Sequence, residues 1–373
     1  MEQFKFNINH ENCLTNLSSS IRKYFNLPYY HKTIPLIDKI LEEKKPENLI
    51  VMLFDGIGSR IIKKNLPENS FLLKKQITEI TSVFPPTTTA ATTSLETGLN
   101  PIEHGWLGWT MYINPLNNIY TLFWNSKMGE KEVDESFIKI KENYLNPKRI
   151  VDELNENEIC ESYLLSPHCE ENKKCNIKYQ KLNNMFETLE ELISKKGKKY
   201  IYVYNNEPDH TMHSKGCYSS EAIKEIKKIN NSVEKFSQKI NSDNTLIIVT
   251  ADHGHLTNEN VILCEEISHL MERNLSIEGR ACSFKIKKGK EEKFKNKFNL
   301  YYGNDFYLFS KDEVIKNQFF GDGNMNFLYE SAIGDFLAIS KNKKNLIEPN
   351  DILLKSGHGG ISDDESYIPI III

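Results

Sequence analysis

Short apolar runs that end in a polar or acidic residue recur along this chain, and they limit its possible folds more than any other feature. Three of them, 49–54, 200–204 and 245–250, are almost continuously apolar and do not alternate with polar residues. Strands of this kind are buried on both faces, as in parallel sheets that helices cover on both sides. The runs therefore predict the strands of a parallel sheet.

Helical patterns lie between these predicted strands. One helix is predicted over 35–45, with Thr33 near its start, and another begins near Ser219 and Ser220. The second helix carries apolar residues at helical spacing, namely Ala222, Ile226, Ile229, Val233, Phe236 and Ile240. The alternation of strands and helices predicts an α/β fold with a doubly wound, mostly parallel sheet.

The length of the chain fits either two domains or one large α/β unit. The 373 residues include 17 Tyr and 19 Phe, and 39% of them are hydrophobic, so a substantial core is expected. We predict a single domain over 1–373 with a lid or small subdomain inserted at 256–350. That range has strand-like pieces of its own at 281–286, 306–309 and 334–340.

Charge and cysteine content argue against several classes of protein. The 47 basic and 51 acidic residues are interspersed and give a net charge of −4, so no nucleic-acid polymer is expected as a partner. The seven cysteines include no Cys-x-x-Cys pair, which favours reduced thiols over disulfides or a thiolate zinc site.

The sequence also carries no sign of export or membrane insertion. The first 16 residues lack the apolar segment of a secretory signal. Apolar runs reach about six residues, against the ~20 that span a bilayer. We expect a cytoplasmic protein without a membrane partner, and the sequence predicts no oligomeric state.

Acidic residues and histidines follow the predicted strands. Asp55 ends the first run, Asp252 and His253 follow the third, and Asp209 lies four residues before His213. An Asp and a His at that spacing converge on one face of a helical turn. The carboxyl ends of parallel strands meet at one edge of the sheet, where ligands bind. Oxygen and imidazole donors without thiolates suit zinc, with manganese possible.

Two further motifs are weaker when each is taken alone. His358 stands in Ser-Gly-His-Gly-Gly, where the glycines allow the backbone to approach a metal or a phosphate. A flexible surface loop is the alternative for this motif, and a solvated loop is the alternative for Asp209 and His213. These interpretations stay open at this point.

A run of hydroxyl residues from 87 to 97 follows Phe84-Pro85-Pro86. Prolines followed by hydroxyl residues and an Ala-rich stretch predict a helix N-terminus, where free N–H groups favour an anion. A hydroxyl in that place is suited to attack phosphorus when a metal lowers its pKa. An ordinary helix cap is the alternative, but it explains only one threonine.

Taken in order, these blocks resemble the type I phosphodiesterase/nucleotide pyrophosphatase family of the alkaline phosphatase superfamily. The matching residues are Asp55-Gly56, Thr88 with Thr97-Gly98-Leu99, His104-Gly105, Glu207-Pro208-Asp209 with His213, Asp252-His253-Gly254 and His358-Gly359-Gly360. They fall within 48–110, 198–256 and 356–370. The resemblance implies an alkaline phosphatase-like α/β/α sandwich with a two-zinc site at the carboxyl edge of a central, mostly parallel sheet.

The resemblance also implies a role for each matching residue. Two ligand sets are implied, one for each zinc ion: Asp209, His213 and His358; and Asp55, Asp252, His253 and the nucleophile. The family's interval makes Thr88 the nucleophile, with Thr87 and Thr89 as alternatives. The implied reaction is hydrolysis of a small-molecule phosphate ester, most naturally a diester, through a phospho-threonine intermediate.

The chain departs from the family pattern at residue 109. Nucleotide pyrophosphatases of the family have an Asn there that contacts a phosphate oxygen, and this chain has Trp109. No Arg lies near Thr88 to form the guanidinium clamp of an alkaline phosphatase, although Arg149, Arg273 or Arg280 are distant alternatives. A phosphomonoesterase, a phosphonate hydrolase, or a metal-retaining protein that binds a phosphorylated ligand without turnover are the alternative functions.

Several aromatic residues and histidines near these motifs are expected to be structural. Trp106, Trp109 and Trp124 are expected to pack a loop or hairpin against the core, with a stacking wall for a substrate as the alternative. His104, His210 and His255 are expected to be structural or to act through a metal ligand.

Overall fold

A computed structural model describes residues 4–169, 173, 175–240 and 243–373 of the chain. Within these residues, most strands belong to two seven-stranded sheets. The first sheet contains the predicted parallel strands, and the second is built from segments that lie between and after them.

The strands are, in chain order, β1 (Asn48–Phe54), β2 (Gln76–Thr81), β3 (Thr110–Ile113), β4 (Asn118–Thr121), β5 (Ser126–Lys127), β6 (Glu161–Ser166), β7 (Asn176–Lys178), β8 (Lys199–Asn205), β9 (Thr245–Thr250), β10 (Leu256–Thr257), β11 (Glu259–Ile262), β12 (Ser276–Glu278), β13 (Ala281–Phe284), β14 (Phe306–Ser310), β15 (Phe336–Ser340), β16 (Lys344–Ile347), β17 (Ser356–Gly357) and β18 (Tyr367–Ile372).

The helices are α1 (Leu14–Tyr24), α2 (Pro35–Lys44), α3 (Ser59–Asn65), α4 (Phe71–Lys75), α5 (Thr88–Thr97), α6 (Pro101–His104), α7 (Glu135–Tyr144), α8 (Ile150–Glu156), α9 (Leu182–Ser194), α10 (Asp209–Lys215), α11 (Ser220–Ser237), α12 (Glu265–Ser268), α13 (Glu291–Tyr302), α14 (Lys311–Lys316), α15 (Tyr329–Ile333) and α16 (Asp363–Ser366). A short 3₁₀ turn, Asn114–Leu116, joins β3 to β4.

β1 lies at the centre of the first sheet, whose order is β2-β18-β9-β1-β8-β6-β7. It pairs in parallel with β8 on one side and β9 on the other, so that Ile50 lies beside Ile201 and Ile247. All residues of these three strands are buried, which requires cover on both faces of the sheet. The predicted α/β fold with a mostly parallel sheet is confirmed.

Two strands at one side of this sheet were not predicted. β18 runs antiparallel to both β2 and β9. Pro369 interrupts the apolar pattern of β18, and β2 is a half-buried edge strand, so neither carries the continuous apolar run of a central strand. They extend the sheet beyond β9 without changing the edge at which the motifs lie.

The two helices predicted from periodicity are present as α2 and α11. The Ser219 side chain caps α11 and accepts a hydrogen bond from the Ala222 N–H at 3.1 Å. The apolar face of α11 is buried from Ala222 to Phe236, whereas Ile240 lies beyond the end of the helix. At α2 the capping position is Ile34, and Thr33 instead donates its hydroxyl to Asp38 at 2.7 Å.

The second sheet has the order β14-β15-β13-β12-β3-β4-β5. Its strands come from two distant parts of the chain, because β12 pairs with β3 through Ile277 and Thr110. The strands within 256–350 therefore share their sheet with β3–β5. The single domain over 1–373 with an insertion at 256–350 stays a prediction.

In the part of the chain that the structure describes, no helix is both long enough and apolar enough to cross a membrane. None of the seven cysteines forms a disulfide, as the sequence predicts.

Candidate active site

The carboxyl ends of β1, β8 and β9 bring the acidic motifs together. Asp55 follows β1 directly, and Asp252 comes two residues after β9. The chain leaves β8 at Asn205 and starts α10 at Asp209, whose backbone N–H donates to the Asp55 carbonyl at 3.2 Å. The antiparallel pair β10–β17 then places the loop that carries His358 beside the loop that follows β9.

One group of donor atoms surrounds the imidazole Nε2 of His253. This atom lies 3.4 Å from Asp55 Oδ1, 3.5 Å from Asp252 Oδ2 and 3.3 Å from Thr88 Oγ1. Thr88 Oγ1 is also 3.3 Å from Asp55 Oδ2. An ion with tetrahedral bonds of about 2.0–2.1 Å holds its ligand atoms about 3.3–3.4 Å apart. The spacing of the four side chains fits such an ion.

The hydrogen bonds of Asp252 support this interpretation. Its Oδ1 accepts from the N–H groups of Gly56 and His253 at 3.0 and 2.9 Å. Its Oδ2 is buried and has no hydrogen-bond partner. An unpaired buried carboxylate oxygen is costly unless a cation compensates it, so this atom is the clearest sign of a metal position.

A second group of donor atoms lies around Asp209. His213 Nε2 is 3.3 Å from Asp209 Oδ1 and 3.2 Å from His358 Nε2, while His358 Nε2 is 3.8 Å from Asp209 Oδ1. These distances again approach the edges of a tetrahedron around one ion. His358, distant in sequence from the other two, completes the group.

Backbone carbonyls fix the orientation of three imidazoles. The Nδ1 atoms of His213, His253 and His358 lie 2.9, 3.1 and 3.0 Å from the carbonyls of Ser356, Gly254 and Pro86. Because a carbonyl only accepts, each Nδ1 carries the proton and donates it. The Nε2 lone pairs are left for a metal ion, the usual arrangement of a ligating histidine.

The electrostatics of the two groups also call for a cation. Burial and the neighbouring carboxylates Asp252 and Asp209 raise the pKa of Asp55 well above its usual value. Burial opposes ionisation of Asp209 as well, but His213 and His255 hold its pKa well below the usual range. Three carboxyl groups packed this closely are stable as anions only beside positive charge.

Among the three adjacent threonines, Thr88 alone directs its hydroxyl at these donors. The Thr87 hydroxyl donates to Glu278 Oε1 at 2.6 Å, and the Thr89 hydroxyl donates to the Gly108 carbonyl at 2.7 Å. Helix α5 begins at Thr88, as predicted, and Thr87 is its N-cap residue. The geometry therefore favours Thr88 over both alternatives.

Two further side chains support the carboxylates: Tyr204, which the sequence does not single out, and His255, which is expected from the sequence to be structural or to act through a metal ligand. The Tyr204 hydroxyl donates to Asp55 Oδ2 at 2.5 Å, and His255 Nε2 is 2.5 Å from Asp209 Oδ1. The second distance is too short for both atoms to bind one ion, because ligand atoms would then be about 3.3 Å apart. Nothing in the sequence marks Tyr204, the last tyrosine of an apolar strand.

The distant arginines considered as a phosphate clamp are engaged elsewhere. Arg280 is fully buried and paired with Glu365 at 2.6 Å, and Arg149 is paired with Asp152 at 2.8 Å. Arg273 lies over the Tyr112 ring and donates to the Ser331 carbonyl.

The tryptophans pack and also line a cavity. The Trp106 indole donates to the Leu145 carbonyl at 2.7 Å, and the Trp109 ring stacks on Phe123. Trp106, Phe123 and the half-exposed Trp124 line a cavity of about 560 Å³ beside α5. At the position of the expected Asn, the backbone N–H of Trp109 donates to Glu278 Oε1 at 2.8 Å. Glu278 was not predicted, because it comes from a distant strand, β12.

Comparison with known proteins supports the family resemblance noted in the sequence. The model of the family described as type I phosphodiesterase/nucleotide pyrophosphatase matches residues 49–358. A search of curated proteins finds no significant sequence match.

Solved structures share the fold at low sequence identity. Murine ectonucleotide pyrophosphatase/phosphodiesterase 5 has a TM-score of 0.65 at 17% identity, over 86% of this chain and 87% of that chain. The human protein of the same name has a TM-score of 0.63 at 16% identity, over 87% of each chain. Phosphonoacetate hydrolase from Sinorhizobium meliloti 1021, solved with phosphonoformate, has a TM-score of 0.63 at 14% identity, over 88% and 90%.

Proposed function

The chain belongs to the type I phosphodiesterase/nucleotide pyrophosphatase family, and on that basis we propose that it hydrolyses phosphate diesters at a two-zinc site with Thr88 as the nucleophile. Family membership makes it a phosphoric ester hydrolase. The proposal adds the metal ions, the nucleophile and the preference for small-molecule diesters.

The position of Thr88 Oγ1 among the carboxylates and imidazoles carries the proposal. One zinc ion would be held by Asp55, Thr88, Asp252 and His253, and the other by Asp209, His213 and His358. The orphaned Oδ2 of Asp252 and the Nε2 atoms of the histidines, whose Nδ1 atoms face backbone carbonyls, would supply the donors. Ions bound there would lower the pKa of the threonine hydroxyl and of water and stabilise charge on the phosphoryl oxygens.

The chain's own residues then account for the two chemical steps. Thr88 gives up its hydroxyl proton to solvent water and its Oγ1 forms a bond to phosphorus, while the bond from phosphorus to the leaving oxygen breaks on the opposite side and the leaving group takes up a proton from water. The N–H groups in the first turn of α5, which begins at Thr88, are placed to bind a phosphoryl oxygen. Water then attacks the phospho-threonine, which releases the phosphate product and restores the hydroxyl.

The preference for a diester follows from the missing guanidinium clamp. A monoester carries one more negative charge than a diester, and Arg149, Arg273 and Arg280 all have other partners. A phosphonate hydrolase is the second candidate, favoured by the similarity in fold to phosphonoacetate hydrolase.

The first experiment compares a 4-nitrophenyl phosphodiester with 4-nitrophenyl phosphate on zinc-loaded protein. We expect faster diester cleavage, and Thr88→Ala should reduce kcat at least about 1,000-fold while two zinc ions remain measurable. Thr87→Ala and Thr89→Ala are matched controls and should retain most of the activity. Retained turnover in Thr88→Ala would refute this nucleophile, and bound zinc without turnover of any phosphate ester or phosphonate would favour a binding protein.

A further inference from the structure

The two groups of donor atoms, around His253 and around Asp209, are called the first and second metal-ligand groups. A cavity of about 480 Å³ borders the second group. Its lining includes His213 and His358, strand β12 and residues of the segment 348–354. The side chains of Met128, Leu275 and Ile277 also line it. A ligand held at the histidines would therefore extend a substituent into this space.

The described residues that line this cavity include three carboxyl groups and no lysine or arginine. The carboxyl groups belong to Glu278, Glu348 and Asp351, and we call the space the acidic cavity. Burial raises the pKa of Glu348 above its usual value. A positive charge inside the cavity would relieve this cost.

Neutral donors hold the three carboxyl groups in place. Glu278 Oε1 accepts from the Thr87 hydroxyl and from the Trp109 N–H. Glu348 Oε1 accepts from the Leu275 N–H at 2.9 Å, and Asp351 Oδ2 accepts from the Glu348 N–H at 2.8 Å. The carboxyl groups are thus oriented without any cation.

Unlike the carboxyl groups, some other polar atoms at the wall of the acidic cavity have no hydrogen-bond partner. Ser276 is only 3% exposed, and its hydroxyl makes no hydrogen bond. The amide oxygen and nitrogen of Asn258 are both buried and unpaired as well. Buried polar atoms are normally satisfied, so these atoms indicate that a polar ligand or ordered water completes them.

The cavity beside α5 has the opposite character. Its lining includes Lys141, Arg149, Lys173 and Lys178. Glu96 is the one carboxyl group among the described residues around that cavity, whereas the described residues around the acidic cavity carry carboxyl groups without a lysine or arginine. An anionic substituent is disfavoured in the acidic cavity by Coulomb repulsion.

We propose that the acidic cavity binds an alkylammonium group of the substrate, so that the substrate is a phosphate ester with a positively charged substituent. The proposal rests on the function proposed above, because the metal-ligand groups would hold the phosphorus end. The ammonium group donates to carboxylates that have no cation of their own, and the Ser276 and Asn258 side chains complete its polar surroundings.

Binding of non-hydrolysed phosphonates tests this inference separately from turnover. ω-Aminoalkylphosphonates with two to six carbons are titrated into zinc-loaded protein by calorimetry, each against the alkylphosphonate in which a methyl group replaces the ammonium. We expect a Kd about ten-fold lower for the amine at one chain length or more. Equal or weaker binding of the amine at every length overturns the inference.

Paired variants then test the location of the bound amine. Glu348→Gln/Asp351→Asn should reduce the preference for the amine to less than about three-fold. The control Glu272→Gln/Glu330→Gln removes the same charge from a different cavity and should keep the full preference. An unchanged preference in the first variant, with circular dichroism as for the unaltered chain, overturns the assignment to this cavity.

The two proposals fail in different ways. Hydrolysis of a diester with uncharged substituents, without any preference for amine-bearing ligands, leaves the phosphodiesterase proposal standing and removes this one. A preference for amine-bearing phosphonates without hydrolysis of any ester supports the acidic cavity and removes the proposed catalytic function.

Discussion

At the scale of single residues, hydrogen bonds decide which atoms remain to bind a metal ion. The two N–H groups that occupy Asp252 Oδ1 leave Oδ2 without a partner. Backbone carbonyls accept hydrogen bonds from the Nδ1–H groups of His213, His253 and His358, which leaves their Nε2 atoms for a metal ion. Each of these four predicted ligands therefore presents one oriented atom to its group.

Replacement of Asp252 should remove one of the two zinc ions. Asp252→Asn exchanges a carboxylate ligand for a neutral amide, so we expect zinc content to fall from about two to about one per chain by atomic absorption. The control Asp312→Asn changes an exposed residue of α14 and should keep both ions. Two zinc ions in the Asp252→Asn variant would contradict the assignment.

His255 should tune zinc affinity without binding the ion. Its Nδ1 lies 3.2 Å from the Ser356 hydroxyl, and its Nε2 meets the Asp209 carboxylate. Loss of such a contact lowers metal affinity about 10–100-fold, so His255→Gln should weaken one zinc site by that factor and still bind two ions at saturation. The exposed His269 provides the control variant His269→Gln. Loss of a whole zinc equivalent at saturation would make His255 a ligand.

Motif spacing could predict the direct ligands, because each lies in a short block at a strand end. It could not predict Tyr204 or Glu278 in their roles, whereas the sequence does predict that His255 is structural or acts through a metal ligand. The partners of Tyr204 and Glu278, Asp55 and Thr87, lie 149 and 191 positions away in the chain. Such contacts depend on how the elements pack.

At the scale of elements, the hairpin β12–β13 joins two parts of the site. Glu278 accepts the hydrogen bond of Thr87, the cap of α5. Two residues later, Arg280 binds Glu365, which also accepts from the Gly360 N–H at 2.7 Å next to the His358 loop. One hairpin thus contacts both the helix that begins at Thr88 and the loop that carries His358.

Removal of the buried arginine should destabilise the protein strongly. Arg280→Met leaves the Glu365 carboxylate buried without its partner, which costs about 3–5 kcal/mol of unfolding free energy. Arg60 pairs with Glu79 at a site where both side chains are partly exposed, so the control Arg60→Met should cost less than about 1 kcal/mol. Urea unfolding measures both variants, and similar losses would contradict a structural role for the buried pair.

Helix α5 contains a carboxyl group whose charge opposes folding. Burial raises the pKa of Glu96 to about 6, although Arg149 partly offsets the effect. Because the folded state binds this proton more tightly, its ionisation reduces stability as pH rises from about 4.5 to 6, and the loss stays constant above that. Glu96→Gln should therefore raise the free energy of unfolding by about 2 kcal/mol at pH 8 and by less than about 0.5 kcal/mol at pH 4.5. Thermal unfolding at the two pH values measures this, and an equal change at both would contradict it.

Strands and helices were predicted correctly where burial requires a long run or a regular spacing of apolar residues. β1, β8, β9 and α11 carry such patterns in full. The short strands β3–β5 and β12 give no clear period, and their pairing joins Thr110 to Ile277 across 167 positions of sequence. Hydrophobic periodicity therefore could not predict the strands near the acidic cavity.

At the scale of the whole molecule, two sheets meet at the metal-ligand groups. The central sheet supplies Asp55 and Asp252 at its carboxyl edge, and the second sheet supplies Glu278 and the wall of the acidic cavity. The fold class followed from the sequence because a parallel sheet has a strong pattern. The charge of the substrate cavity did not follow, since it depends on side chains from several distant segments.

The central claim is a double displacement at phosphorus with Thr88 as the first nucleophile. Its most direct test is the stereochemical course of hydrolysis, measured by ³¹P NMR on a chiral phosphorothioate diester cleaved in ¹⁸O-labelled water. Two successive in-line displacements, each with inversion, predict net retention of configuration. Net inversion would show that water attacks the ester directly and would contradict a phospho-threonine intermediate.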